Sequence, residues 1–159
     1  MNIAWVVGSG GLLGSALCRQ LGHLNTRLFF PEIHFSWDGG PLLVNQMTDA
    51  VHAFQSLVGP ADRWEIYWAA GVGAMNSPEC QLLPETEALS HLLHLLGASS
   101  RLMAISGALA LASSAGAIYA GATDDVITEN SLPAPTTAYA REKMRQEDLI
   151  RALATSHEH

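Results

Sequence analysis

Ile3-Ala4-Trp5-Val6-Val7-Gly8-Ser9-Gly10-Gly11-Leu12-Leu13-Gly14 is the stretch on which the fold of this chain turns. Ile3 to Val7 is a short, unbroken apolar run, the pattern of a strand buried on both faces. Gly8 to Gly14 interrupts it. Leu13, Ala16, Leu17 and Leu21 then recur at helical spacing, with Gly22 as the expected stop. Gly8, Gly11 and Gly14 give the spacing G-x-x-G-x-x-G. Glycine in such a place serves a tight turn, close backbone approach to a pyrophosphate, and close packing of helix on strand. The free N–H groups at the helix start then face negative charge. A glycine triplet by itself also fits an ordinary flexible turn; the strand before it and the helix after it favour the phosphate-binding reading.

Working outward, the same alternation repeats. Thr26 to Phe30 reads as a second strand ended by Pro31, and the alternating Ile33, Phe35 and Trp37 read as a third. Pro41 opens a helix to about Val58, with Leu43, Met47, Val51, Phe54 and Leu57 on one face. Glu65 to Ala70 is another buried-strand run, followed by Gly71-Val72-Gly73. Glu85 to about Leu96 is a leucine-rich helix with Gly97 as its cap, and Ala98 to Gly107 is ambiguous between helix extension and loop. Ala108 to Ser113 reads as a strand, Asp124 to Pro135 as a loop, and Thr136 to about Ala154 as a charged helix. Strands alternating with helices predict a doubly wound parallel sheet in a three-layer α/β/α arrangement, a Rossmann-like fold. Residues 1–159 read as one domain, without repeats or an internal linker.

Composition narrows the function. With 8 Lys+Arg against 15 Asp+Glu the net charge is −7, with a pI near 5.3 and no basic run. That balance excludes a nucleic-acid footprint, which needs cations for phosphates. A hydrophobic share of 48% excludes a disordered chain, and the lack of an apolar run of roughly 18 residues excludes an ordinary membrane span. The apolar N-terminus lacks a leading Lys or Arg and is broken by glycines, so it is read as strand–turn–helix rather than a signal peptide. Cys18 and Cys80 form no C-x-x-C and suggest no disulfide framework, which fits a cytoplasmic location. Charged residues make up only 14%, against about 25% in a typical soluble domain. So little charge leads us to expect a partly covered surface, as in a homodimer or larger assembly.

Four further groups carry chemistry. A carboxylate gripping the adenosine ribose is expected about 20 residues beyond the glycines. Asp38 is the better candidate and Glu32 the other, with a plain loop aspartate as the alternative; no arginine follows the second strand, which favours NAD over NADP. Tyr139 and Lys143 stand at i and i+4, on one helix face. A phenol ionises near pH 10, and an ammonium beside it favours the phenolate, so such a pair suits proton transfer; a solvent-facing pair is the plain alternative. Ser113 and Ser114, about 25 residues earlier, either orient a substrate oxygen from a strand end or cap a turn. His91 and His94 lack a third ligand at sensible spacing, and no metal site is expected.

Taken together, these residues resemble the short-chain dehydrogenase/reductase superfamily, and more closely its extended branch of NAD-dependent sugar-nucleotide epimerases and dehydratases. The resemblance rests on Gly8 to Gly14, on Trp68-Ala69-Ala70-Gly71, on Ala112 to Gly121, and on Glu129 to Lys143. It implies an NAD(P)-binding domain with Gly8, Gly11, Leu12, Leu13 and Gly14 along the pyrophosphate and Ala69, Ala70 and Gly71 along the middle of the cofactor. It also implies Tyr139 moving a proton at a substrate oxygen, Lys143 assisting it and holding the nicotinamide ribose, and Ser114 or Ser113 orienting a nucleotide-sugar or similar hydroxyl/carbonyl substrate.

Four departures qualify this. The family's Ser/Thr position is Ala115 here, so Ser114, with Ser113 behind it, is the substitute. The family's helix after the alanine pair often carries an asparagine, and here Glu87 lies in that neighbourhood. The ribose carboxylate has no clean match. The chain also stops soon after Lys143, so it is expected to lack the C-terminal substrate-binding portion and to have fewer strands than the full family fold. The intact Tyr139–Lys143 pair favours an NAD-dependent oxidoreductase of the epimerase/dehydratase type. The shortness and Ala115 favour a non-catalytic dinucleotide-binding or interaction module derived from it.

Overall fold

A computed structural model of the chain describes residues 1–71 and 73–156. Val72 and the terminal His157 and His159 lie outside the described residues. The elements alternate as expected: β1 (Asn2–Val7), α1 (Leu12–His23), β2 (Arg27–Phe29), α2 (Gly40–Leu57), β3 (Arg63–Trp68), α3 (Glu79–Ala98), α4 (Ser100–Met103), β4 (Gly107–Leu111), α5 (Ala115–Ile118) and α6 (Ala138–Ser156). The four strands form one parallel sheet in the order β2-β1-β3-β4. The chain therefore winds outward from β1 in one direction to β2, then turns back past β1 to β3 and β4. That reversal leaves a crevice between the carboxyl ends of β1 and β3, where open α/β sheets take their ligands.

β1 has both faces buried, as its unbroken apolar run requires: Ile3, Ala4, Trp5, Val6 and Val7 are all within 4% of complete burial. Ile3, Trp5 and Val7 enter the larger core, which α2 supplies with Leu43, Met47, Val51 and Phe54 and α3 with Leu89, Leu92 and Leu96. Ala4 and Val6 face the other way, onto Leu17, Cys18 and Leu21 of α1. Helices on both faces of a parallel sheet make the three-layer Rossmann-like fold. β3 alternates, with Trp64, Ile66 and Trp68 buried and Arg63, Glu65 and Tyr67 more open. Among the described residues no helix is long and apolar enough to cross a membrane.

Several boundaries differ from the sequence expectation. Ile33 to Trp37 is an irregular loop, not a third strand. Its alternation comes from tertiary packing: Phe35 lies 6.4 Å from Trp5, and Trp37 stacks edge-on against Trp68 at 6.0 Å. α3 begins at Glu79 rather than Glu85, carries Pro84 in its second turn, and passes Gly97 to end at Ala98. β4 runs Gly107–Leu111 instead of Ala108–Ser113, and the ambiguous 98–107 segment holds the short α4, capped by Ser99. Gly107 is required because a Cβ there would enter the Trp64 ring, whose Nε1 donates to the Leu102 carbonyl at 3.0 Å.

Gly22 does not end α1; the helix continues to His23. A Cβ at Gly22 would meet nothing within 4 Å. Gly22→Ala is therefore expected to raise stability by about 0.5–1 kcal/mol, by restricting the unfolded chain and favouring helix. A lowered urea midpoint would show that this turn is tighter than it looks.

Candidate functional site

The crevice begins where β1 ends. Gly8 has φ of +88°, and a Cβ on it would stand 2.6 Å from the Ala70 backbone, so only glycine lets the β1 and β3 exits lie this close. Gly14 is tighter still: its Cβ would collide with the Gly8 carbonyl oxygen. Gly11 caps α1, its N–H donating to the Gly8 carbonyl at 3.0 Å. No side chain caps α1, and its first turn carries no acidic residue. The first-turn amides, those of Leu12, Leu13 and Gly14, thus have no intrahelical acceptor and stand where an anion is favoured. Ser15 points its hydroxyl back at the Leu12 carbonyl instead.

Two hollows open from this turn. One, of about 250 Å³, is lined by Gly8, Gly10, Gly11, Trp37, Ala69, Ala70, Gly71, Gln81 and Glu85. The other, of about 290 Å³, runs along Ser9, Gly10 and the loop after β2, with Phe30, Pro31, His34, Phe35 and Trp37. They share Gly8, Gly10 and Trp37. Together they reach the size of ordinary small-molecule sites, about 300–1,000 Å³. The arrangement suits an elongated ligand with an anionic centre at the glycine turn and an arm on each side.

Gly8, Gly11, Ala69, Ala70 and Gly71 line the first hollow, and Leu12, Leu13 and Gly14 form the helix start beside it. Asp38 is exposed in the turn before α2, 3.4 Å from the Ser36 hydroxyl, and lines neither hollow. Its neighbour Trp37 lines both.

Tyr139 and Lys143 lie on the α6 face turned to α3, with the Lys143 Nζ 5.7 Å from the centre of the Tyr139 ring. Lys143 is only 5% exposed, and its ammonium donates to Glu85 Oε1 at 2.8 Å and to Gln146 Oε1 at 3.1 Å. Gln146 Nε2 in turn donates to Glu85 Oε1 and to Thr86 Oγ1. The result is a polar cluster between α3 and α6, in which Lys143, Gln146, Glu85 and Thr86 all have hydrogen-bond partners. Ser113 donates to Glu147 Oε1 at 2.6 Å, away from the crevice lining, and Ser114 stands at the start of α5 without a capping bond.

Glu85, Gln146, Gln81 and Trp37 were not singled out from the sequence. Glu87, the expected stand-in for the family asparagine, is exposed on the outer side of α3; Glu85, half a turn earlier, faces Lys143 and the crevice. The signal was present in the spacing: Glu85, Leu89, Leu92 and Leu96 fall on one buried stripe.

A glycine-rich strand–turn–helix at the switch point of a parallel sheet defines the fold as Rossmann-like. No protein-family profile matches the chain, and no curated protein does. Solved structures do. A protein described as RMD from Pseudomonas aeruginosa complexed with NADPH superposes with a TM-score of 0.73 at 19% identity, over 97% of this chain and 48% of that one. A short-chain dehydrogenase/reductase superfamily protein from Agrobacterium tumefaciens with bound NAD gives 0.67 at 19%, over 96% and 44%. A UDP-N-acetylglucosamine 4-epimerase from Bacillus cereus gives 0.64 at 18%, over 97% and 51%. The chain has the fold of these proteins and spans about half their length.

Proposed function

We propose that this chain binds a nicotinamide dinucleotide, NAD or NADP, across the β1/β3 crevice. In this reading it is the cofactor-binding portion of an oxidoreductase of the NAD-dependent epimerase/dehydratase type. The observation that carries the proposal is the glycine cradle: the spaces at Gly8 and Gly14 that a Cβ would fill, beside uncapped helix amides. Those residues fit a pyrophosphate. The Ala69–Gly71 segment extends the cradle toward α3 and the aromatic loop extends it toward β2. Neighbours of the same fold were solved with NAD or NADPH, which supports the choice of ligand.

When bound, the nicotinamide ring supplies a hydride acceptor or donor. In the proposed reaction Tyr139 carries a proton to or from the oxygen of the reacting substrate carbon, and Lys143 keeps a positive charge near the phenol. Ser114 or Ser113 orients that oxygen. The substrate class is a nucleotide sugar or a similar hydroxyl/carbonyl compound, by likeness to the neighbours that bear such names. The expected result is conversion of one member of a nucleotide-sugar panel in the presence of NAD, falling by about 10²-fold or more in Tyr139→Phe while binding is kept. Chromatography of the nucleotide sugars reports it, because the hydride taken up by the nicotinamide is returned within the cycle.

One observation favours a second reading, a dinucleotide-binding module without turnover: the Lys143 ammonium is taken up by Glu85 and Gln146. Tight binding with no turnover across the same panel would select it.

A further inference from the structure

The carboxylate of Glu85 has two oxygens in different surroundings. Oε1 accepts from Lys143 Nζ at 2.8 Å and from Gln146 Nε2 at 3.0 Å, inside the α3–α6 cluster. Oε2 has no hydrogen-bond donor among the described residues. It lies 2.7 Å from where a Cβ of Gly71 would stand, on the side of the crevice that Glu85 lines. The residue as a whole is 8% exposed, and it is the one carboxylate among the described residues that line either hollow. Gly71, with φ of +151°, lies against the carboxylate, where a Cβ would stand 2.7 Å from Oε2 and 3.1 Å from Oε1. A carboxylate oxygen on the crevice side of Glu85, in a side chain whose other oxygen is held inside the α3–α6 cluster, is placed to accept from a donor on a ligand.

We propose that Glu85, held from behind by Lys143, is a ligand-binding residue that accepts hydrogen bonds from the hydroxyls of the sugar on the far phosphate of the bound dinucleotide. The inference rests on the dinucleotide reading of the glycine turn. With the phosphates at Gly8–Gly14, one arm of the ligand passes Ala69, Ala70 and Gly71 and ends at Glu85. A carboxylate offers only acceptors, so it selects O–H or N–H donors, and a ribose diol supplies two. Lys143 neutralises the carboxylate and fixes its orientation through Oε1, so that a negative side chain can sit in a cleft that also takes phosphates. Lys143 is then a positioning residue, and the contact to the sugar belongs to the carboxylate. Gln146 and Thr86 complete the support by filling the remaining bonds of the cluster.

Calorimetric titration of the chain with ADP, ADP-ribose and NAD tests this. ADP-ribose and NAD carry the second sugar and ADP lacks it. The wild-type chain is expected to bind ADP-ribose more tightly than ADP. Glu85→Gln is expected to weaken ADP-ribose and NAD by about tenfold or more while leaving ADP within about twofold. The double variant Glu85→Gln with Lys143→Met, which removes both charges and guards against misfolding of the single one, is expected to show the same selective loss. If Lys143 were the sugar contact, Glu85→Gln would free it, and ADP-ribose would bind as well as before or better; that result overturns the proposal. Equal wild-type affinity for ADP and ADP-ribose overturns it too. Failure of the folded wild-type chain to bind even ADP overturns the dinucleotide reading beneath it, a separate outcome.

Discussion

Lys143→Met is expected to lower the stability of the chain by about 3–5 kcal/mol, because it strands the buried Glu85 carboxylate without its countercharge. That is a large part of the roughly 5–15 kcal/mol that holds a domain of this kind together. The ion pair is not an ornament of the surface: its side chains are 7% and 9% exposed, so solvent cannot take over for the lost partner. Methionine nearly matches the lysine in volume, so the loss reports charge and hydrogen bonding rather than a cavity. Adding Glu85→Gln to the same chain is expected to recover much of the loss, since an uncharged pair in a buried site is tolerated better than half of an ionic one. Urea unfolding midpoints at unchanged slope measure both effects. A cost below about 1 kcal/mol for Lys143→Met would place the pair in water, where exposed pairs fall.

Gly14→Ala is expected to damage binding and stability together. Its Cβ would meet the Gly8 carbonyl oxygen, the Gly8 carbonyl carbon at 2.7 Å and the Ser9 Cα at 2.9 Å, all backbone atoms that cannot swing aside. Relief requires α1 to withdraw from the end of β1, which costs about 1–3 kcal/mol as an overpacking change. The same movement pulls the first-turn amides of α1 off the crevice, so nucleotide affinity is expected to fall by about 10²-fold or more even where the chain stays folded. Gly10→Ala is the control: nothing lies within 4 Å of its Cβ, although it lines both hollows. Its stability is expected to stay within about 0.5 kcal/mol of the original. If Gly14→Ala were as harmless as Gly10→Ala, the close helix-on-strand contact would be wrong.

The two substitutions probe the ends of one crevice, and those ends were unequally legible in the amino-acid sequence. The glycine turn is local: strand pattern, glycine spacing and helix pattern all lie within Ile3 to Leu21, so short-range rules suffice. The strand–helix alternation and the buried stripe of α2 were legible for the same reason. The loop from Ile33 to Trp37 was not, because Phe35 and Trp37 are held by aromatic partners on β1 and β3 rather than by neighbours in sequence. α3 runs through Pro84 to start at Glu79, because one lost backbone bond in an early turn is outweighed by the burial of Leu82 on the turn before. Glu87 sits near the place of the family's asparagine, but it is Glu85 that falls on the buried stripe of α3 with Leu89, Leu92 and Leu96. Its partner Lys143 lies 58 residues away, a distance that no local pattern spans.

Calorimetric titration of the wild-type chain with NAD and with NADP bears most directly on the central claim, that the β1/β3 crevice binds a dinucleotide. Saturable heat at one site per chain, with affinity lowered by about 10²-fold or more in Gly14→Ala, is the expected result. No heat with either nucleotide, on a sample shown by circular dichroism and cooperative unfolding to be folded, would contradict it.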